Sequence, residues 1–320
     1  VSQWLLRAIG VLLMLSALAV SMSRAPDWPV QALVARWAPA PSDFIEIKGQ
    51  VLHLRDEGPR GDPLPLLLLH GAGASLHTWE GWARTLRTQH RVISIDLPGS
   101  GLTGPFGGEY AADDYGGDTL ARFVLDLMDT LQLQRVVLVG NALGGEVAWH
   151  VASLAPQRVE RLVLVAPTGL GTAPGALPML FRVAGTPLLN RVGEYLMPRE
   201  LVIDSLHTLY GEPARVTQAL VERVYELTLR EGNRRALGLQ LRQTGQGGTA
   251  VEARLTALRQ PTLLLWGERD RVLPPAAADR FVQLLPGSRL QRFPGLGHWP
   301  QEEDPAATVQ AVQAFVAQAR

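Results

Sequence analysis

The chain has 320 residues, 47% of them hydrophobic and 19% charged, a globular composition that accommodates one large α/β domain with an insertion or two ordinary domains. Thirty Lys and Arg balance thirty Asp and Glu, so there is no global positive field to hold nucleic acid and no acidic tail. Cysteine is absent, which excludes disulfides, thiolate metal sites, iron–sulfur clusters and a cysteine nucleophile.

The N-terminal segment stands apart. Residues 8–20 (AIGVLLMLSALAV) are unbroken apolar chain, and with Trp4, Leu5, Leu6, Ser21 and Met22 the stretch reaches nineteen residues, interrupted only by Arg7. About twenty residues carry a helix across a bilayer core. Arg7 reaches the interface and sets that end on the cytoplasmic side, and Trp4 and Trp28 flank the run as interfacial aromatics would. The expectation for 1–28 is a transmembrane anchor, or else a cleaved signal segment with small residues around Ala17-Leu18-Ala19. A buried core helix fits poorly, because the run is apolar on every face. Pro26 and Pro29 stop any helix here.

From residue 43 the pattern becomes regular. FIEIKG and VLHLRDEG read as a β-hairpin turning at Lys48-Gly49-Gln50. Residues 64–69 (LPLLLL) are an apolar strand running into His70-Gly71-Ala72-Gly73. A helix follows over 77–89, then a strand at 91–96 (RVISID) that leads into LPGSGLTG. Leu120, Phe123, Val124, Leu127 and Leu131 have helical spacing over 118–132. Strands at 135–139 (RVVLV) and 161–165 (RLVLV) bracket a helix at 143–155. Strands at 262–266 (TLLLW) and 288–293 (SRLQRF) alternate with helices at 276–285 and 305–319. Short all-apolar strands alternating with amphipathic helices predict a mostly parallel sheet covered on both faces. Between 165 and 262 that rhythm stops and helical pattern broken by Pro174, Pro187, Pro198, Pro213 and Gly245 takes over. Residues 168–258 are read as a helical lid over the carboxyl edge of the sheet, dividing a core of 29–167 and 259–320.

The third apolar strand runs straight into Gly140-Asn141-Ala142-Leu143-Gly144-Gly145 and a helix. This is the frame of a nucleophile elbow, G-x-S-x-G, with Ala142 where serine should stand. So sharp a turn needs bare neighbours two before and two after, which Gly140 and Gly144 supply. Alone it is also what any glycine-bearing strand-to-helix turn looks like. Its company sharpens the reading. The His70-Gly71-Ala72-Gly73 loop lies where a second oxyanion amide belongs, Asp270 follows Trp266-Gly267-Glu268-Arg269 at a late strand end, and His298 sits in the loop after the last strand. The order 142, 270, 298 matches nucleophile, acid, base. The candidates are Ala142 at the nucleophile position, Asp270 with Glu268 as its rival acid, His298 as base, and the amides of Ala72 and Leu143 as oxyanion donors. For Asp270 the bland alternative is a helix-capping carboxylate, and for His298 a packed core histidine.

From about residue 43 to 320 the chain resembles the α/β-hydrolases, and is particularly similar to bacterial membrane-anchored esterases and phospholipases. The residues that carry this are HGAGASLHTWEGW, RVISIDLPGSGLTG, VGNALGGEVAW, ELTLREGNRRALG, LLLWGERDRVLP and GLGHWPQEEDP. The resemblance implies an α/β-hydrolase fold with a lid over the active site, Asp270 and His298 as triad members, and hydrolysis of lipid-like acyl esters. With the N-terminal run it implies a single-pass protein of the bacterial inner membrane, its body on the periplasmic side, with lipid as substrate and a homodimer within reach of the helix. The departure is Ala142: the family uses serine, and without a hydroxyl no acyl-enzyme forms. Three readings remain: a deliberate serine-to-alanine change, a natural pseudohydrolase that binds an acyl ligand or partner, or residual chemistry by water at His298. Within enzymes the rival activity is C–C bond hydrolysis of vinylogous ketoacids.

Ser75 and Ser100 have glycine neighbours but no strand-to-helix elbow, and read as turn hydroxyls. His53, His77, His90, His150 and His207 lack ligand spacing, and the GxG pieces at 71–73 and 99–101 lack dinucleotide spacing, so neither metal nor cofactor is expected. His70 is read as shaping its loop. Met179, Leu180, Phe181, Leu188, Leu189, Tyr195, Leu196 and Met197 are lid core, or in part the wall of an acyl tunnel.

Overall fold

Eight segments pair into one sheet: β1 (Ser42–Ile47), β2 (Gln50–Glu57), β3 (Leu66–Leu69), β4 (Val92–Ile95), β5 (Val136–Asn141), β6 (Val159–Val165), β7 (Thr262–Gly267) and β8 (Arg289–Phe293), in the spatial order β1-β2-β4-β3-β5-β6-β7-β8. The computed structural model describes residues 3–112, 114–171 and 177–317, the side chains of 6, 15–20 and 22 excepted, so Pro174 and the last two residues of the expected C-terminal helix lie outside it. Lys48 and Gly49 close the β1–β2 hairpin with φ of 50° and 82°, the paired left-handed turn that matches strand twist. β2 meets β4 antiparallel, and every pairing from β4 to β8 is parallel. The continuous apolar strands follow from burial on both faces. Leu66 and Leu68 enter one core, while Leu67 and Leu69 of the same strand enter the other.

On one face, helices Glu80–Leu86 and Pro305–Val316 bury Trp82 and Phe315, and Trp82 Nε1 donates to Thr308 Oγ1 at 2.9 Å. On the other, Gly117–Thr130, Leu143–Leu154 and Ala276–Leu284 bury Phe123, Trp149 and Phe281. Chain order reverses at β3, which lies between β4 and β5 with Leu69 opposite Gly140. The loops after β3 and β5 therefore emerge side by side at the carboxyl edge, where open α/β sheets hold their ligands.

The insertion supplies helices Met179–Gly185, Pro187–Gly193, Arg199–Leu209, Gln218–Thr228 and Asn233–Gln243, which pack on one another. Its last helix, Thr249–Ala257, packs on Leu143–Leu154 and Ala276–Leu284, at the face of the sheet.

The N-terminal region differs from expectation. A helix does run over Gln3–Met22, but among the described residues no helix is long and apolar enough to cross a membrane. The side chains of 15–20, which completed the apolar run on paper, lie outside the description. Trp28, expected to flank the run, is tied to the body of the protein. Its amide donates to Leu229 O at 2.7 Å, and it packs beside Leu33 and Leu227. Pro29, read only as a stop, is the N-cap of an unforeseen helix, Val30–Trp37, whose Leu33 is buried against the lid.

Candidate active site

β5 ends at Asn141 and the next helix begins at Leu143, leaving Ala142 alone at the turn with φ 49° and ψ −112°. A non-glycine residue held there costs about 1–3 kcal/mol. Backbone bonds over-determine it. The Ala142 amide donates to Val165 O at 3.0 Å, and its carbonyl accepts from the amides of Glu146 (3.0 Å) and Thr168 (3.1 Å). The glycine frame is steric in origin. A Cβ on Gly140 would lie 2.1 Å from Gly144 O, and one on Gly144 would lie 2.2 Å from Leu69 O.

The β3 loop lies against this turn: a Cβ on Gly71 would stand 3.2 Å from the Ala142 methyl. His70 is fully buried, its Nε2 accepting from the Leu97 amide at 2.9 Å and its Nδ1 donating to Gly71 O at 2.7 Å. Burial lowers its pKa, so the neutral ring is a brace between two loops. Leu143 opens its helix, so its amide is among those with no intrahelical acceptor.

Asp270 and His298 come together. His298 Nδ1 lies 2.8 Å from Asp270 Oδ2, with both side chains buried, while Asp270 Oδ1 accepts from the amides of Val272 and Leu273, each at 2.8 Å. Glu268, the rival acid, is exposed. With Nδ1 engaged, Nε2 is the nitrogen left to the cavity. That cavity is lined by Ala72, Ala142, Leu143 and His298 together, with Thr168, Phe181, Leu241 and Trp299 among its other walls. Four of the five candidates thus border one space, and Asp270 stands behind His298, bonded to its Nδ1.

Three supports escaped the reading of the sequence. Asn141 Nδ2 donates to Val165 O (3.0 Å) and His298 O (3.1 Å), tying the elbow to the histidine loop. Glu303 accepts from the amides of Gly297 (2.7 Å), Gly211 (3.1 Å) and Glu212 (2.8 Å), fastening the histidine loop to the lid. Glu146, in the first turn of the elbow helix, is buried and binds two lid segments. For Asn141 and Glu146 the signal was a polar side chain beside an elbow, and Glu303 carried none that separates it from Glu302. Buried His53 pairs with buried Asp96 at 2.7 Å, and Asp96 also accepts from the amides of Leu76 and Leu102, so this pair holds loops. His77 Nδ1 bonds Ser75 Oγ at 3.0 Å and its Nε2 donates to Trp37 O at 2.8 Å. Among the described residues no group of three or more His, Asp or Glu is arranged to hold a metal ion.

A sharp elbow, an acid–base pair and a shared cavity at the carboxyl edge define an α/β-hydrolase. The family model described as alpha/beta hydrolase fold matches residues 65–305. The 2-hydroxy-6-oxononadienedioate/2-hydroxy-6-oxononatrienedioate hydrolase 2 of Pseudomonas putida is 31% identical over 265 residues, 79% of this chain and 86% of that protein. Among solved structures, a membrane phospholipase A described as a bacterial virulence factor has a TM-score of 0.71 and 25% identity over 98% of this chain and 95% of its own. A meta-cleavage product hydrolase of Pseudomonas fluorescens, solved as a serine-to-alanine mutant with acetates, has a TM-score of 0.73 over 87% of this chain and 98% of its own; at 23% identity it speaks to fold alone. The chain belongs to the α/β-hydrolase family and has the architecture of its hydrolases.

Proposed function

We propose that the chain is the nucleophile-deficient form of a serine-type carboxylic-ester hydrolase that acts on acyl lipids. The observation that carries this is the Asp270-braced His298 imidazole bordering the same cavity as the Ala142 methyl. With serine at 142, Oγ attacks the ester carbonyl as His298 Nε2 takes its proton. The oxyanion rests on the amides of Ala72 and Leu143, each worth about 3–4 kcal/mol by the subtilisin precedent. The tetrahedral intermediate collapses to the acyl-enzyme, His298 returns the proton to the leaving alcohol, and water repeats the cycle to release the acid. Asp270 keeps the imidazole in one tautomer. Alanine removes the attacking atom and leaves the rest of the machinery standing, which favours a deliberate serine-to-alanine change over a natural pseudohydrolase.

The lipid part rests on the apolar surface. Leu188, Leu189, Val192 and Tyr195 of the lid are exposed, as are Trp4, Ile9, Leu12, Leu13 and Met14 of the first helix. The end of that helix is stitched to the lid, Ala25 N donating to Tyr195 O at 2.9 Å and Met197 N to Ser23 O at 3.0 Å. In this reading both apolar surfaces meet a bilayer, the body is held at the periplasmic side of the bacterial inner membrane, and substrate arrives at high local concentration. The likeness to a membrane phospholipase A over 98% of the chain supports it.

The Ala142→Ser protein should label with a fluorophosphonate and release fatty acid from phospholipid vesicles, while the chain as given does neither. Turnover confined to short water-soluble esters would overturn the lipid reading. The C–C bond reading is favoured by the 31% identical P. putida relative, and turnover of a vinylogous ketoacid by the serine form would select it. A folded serine form inert to every probe would select the pseudohydrolase.

A further inference from the structure

We propose that Glu146 is a positioning residue whose carboxyl clasps the entrance of the lid and the segment between its last two helices to the helix that begins beside position 142, and that loss of its proton loosens the clasp. Glu146 Oε2 accepts from Thr168 Oγ1 at 2.5 Å, and its two oxygens accept from the Gly245 amide at 3.1 and 2.9 Å. Thr168 stands just after β6, where the chain leaves the sheet for the lid. Gly245 stands just after helix Asn233–Gln243, ahead of the lid's last helix. One carboxyl therefore holds the entrance of the insertion and the segment between its last two helices, and both contacts line the cavity bordered by Ala142 and His298.

The two segments are held differently. Thr168 is also fixed through its amide to Ala142 O (3.1 Å) and through its carbonyl, which accepts from Trp149 Nε1 at 3.3 Å. The recorded acceptor of the Gly245 amide is Glu146. A Cβ on Gly245 would meet nothing within 4 Å, so one side of that residue is open, while the residues before it are held by Tyr115 N donating to Gln243 Oε1 and Thr244 Oγ1 donating to Gln240 O, each at 2.6 Å. At Gly245 itself the carboxyl is the acceptor that ties the segment to the elbow helix.

Among the described residues no cation is paired with this buried acid. Burial pushes its pKa up to about 7, against the bonds from Thr168 and Gly245. The titratable groups on neighbouring elements are engaged elsewhere. His150, one turn along the same helix, faces Asp118 at 2.6 Å, and Arg254 of Thr249–Ala257 also bonds Asp118. Arg242 of the lid donates to Ala184 O, and His298 faces Asp270. Once the Gly245 segment lifts, the carboxyl meets water and returns to the ordinary range near 4.5. The folded acid with the raised pKa holds its proton longer than the opened one, so closure is favoured at low pH. Opening rises as pH climbs from about 4.5 and levels off above about 7, by roughly three hundredfold in all.

Hydrogen exchange at the Gly245 amide, corrected for the intrinsic rate, reads this in the chain as given. Protection should fall at least about tenfold between pH 5 and 8, and Glu146→Gln, which accepts a hydrogen bond but cannot ionise, should flatten the profile. Thr168→Val, which removes one bond that lowers the pKa, should move the midpoint to higher pH; it serves alone if the Gln variant fails to fold. A flat profile in the parent, an unchanged profile in Glu146→Gln, or an unmoved midpoint in Thr168→Val would overturn the proposal. The inference rests on the lid geometry and not on the ester reading: exchange is measured without a nucleophile, so a serine form that ignores lipids leaves the result standing.

Discussion

Glu303 offers a sharp test of how the histidine loop is held. Its carboxylate serves three backbone amides: Gly297, next to His298, and Gly211 and Glu212 in the lid. The backbones there are too close to admit side chains, since a Cβ on Gly297 would lie 2.3 Å from Gly211 N. No neighbour can move in to replace the acceptor. Glu303→Ala strands two buried amides and one half-buried amide. At about 1–3 kcal/mol for each buried donor, the loss is about 3–5 kcal/mol. An entropy of unfolding near 2.1 cal/mol/K per residue gives roughly 0.6–0.7 kcal/mol/K for this chain, so Tm should drop by about 5–8 °C. Glu303→Gln keeps one carbonyl. Placed where Oε2 now lies, it still accepts from Gly297 and Gly211 and presents an amide to Glu212, for a loss of about 1–2 kcal/mol and roughly 2–3 °C. Calorimetric melts of parent, Gln and Ala forms at neutral pH measure the ladder. Equal losses for Gln and Ala, or both forms within a degree of the parent, would refute the account.

In the serine form, Asp270→Asn should cost on the order of 10⁴-fold in kcat, because it presents the wrong partner to Nδ1; a loss below tenfold would show that another acid, such as Glu268, orients the ring. Gly144→Ala forces a Cβ to 2.2 Å from Leu69 O and 2.6 Å from His70 O, and should destabilise by about 4 kcal/mol or more. Gly287→Ala, with φ of 75° and open space around it, should cost about 1–2 kcal/mol in the same denaturant titration; a reversed order would refute the steric origin of the elbow. Asp118 is held down to about 2 by its bond from Arg254, with His150 adding to the effect against partial burial. Its stabilisation is present above the ordinary Asp range and is lost as pH falls from about 4 to 2. Because the Asp118 side chain is 45% exposed, Arg254→Ala should cost less than about 1 kcal/mol at pH 6, and the gap from the parent should shrink below pH 4; a gap that widens on acidification would contradict this.

The alternation of strand and helix was legible because it is local. LPLLLL, RVVLV and TLLLW read as strands covered on both faces, and all three are flanked by other strands on both sides. The elbow was legible for the same reason: the spacing of Gly140 and Gly144 around Ala142 is a steric requirement written in five consecutive residues. The first helix was harder to judge. Apolar length states that a partner is needed but not which one, and Trp28, which looked like an interfacial residue, turned out to pack against the lid.

By its own pattern the sequence determined the strand order along the chain, the glycine frame and the short list of residues able to do acid–base chemistry. Tertiary structure showed why Asp270, and not its rival Glu268, faces His298: after β7 the first turns inward to the ring and the second outward to solvent. It alone placed Glu303 under the histidine loop and Glu146 between two segments of the lid. The reason is physical. Periodicity and sterics act between neighbours in sequence, whereas a buried carboxylate is defined by the amides that reach it, and those come from segments up to about a hundred residues away.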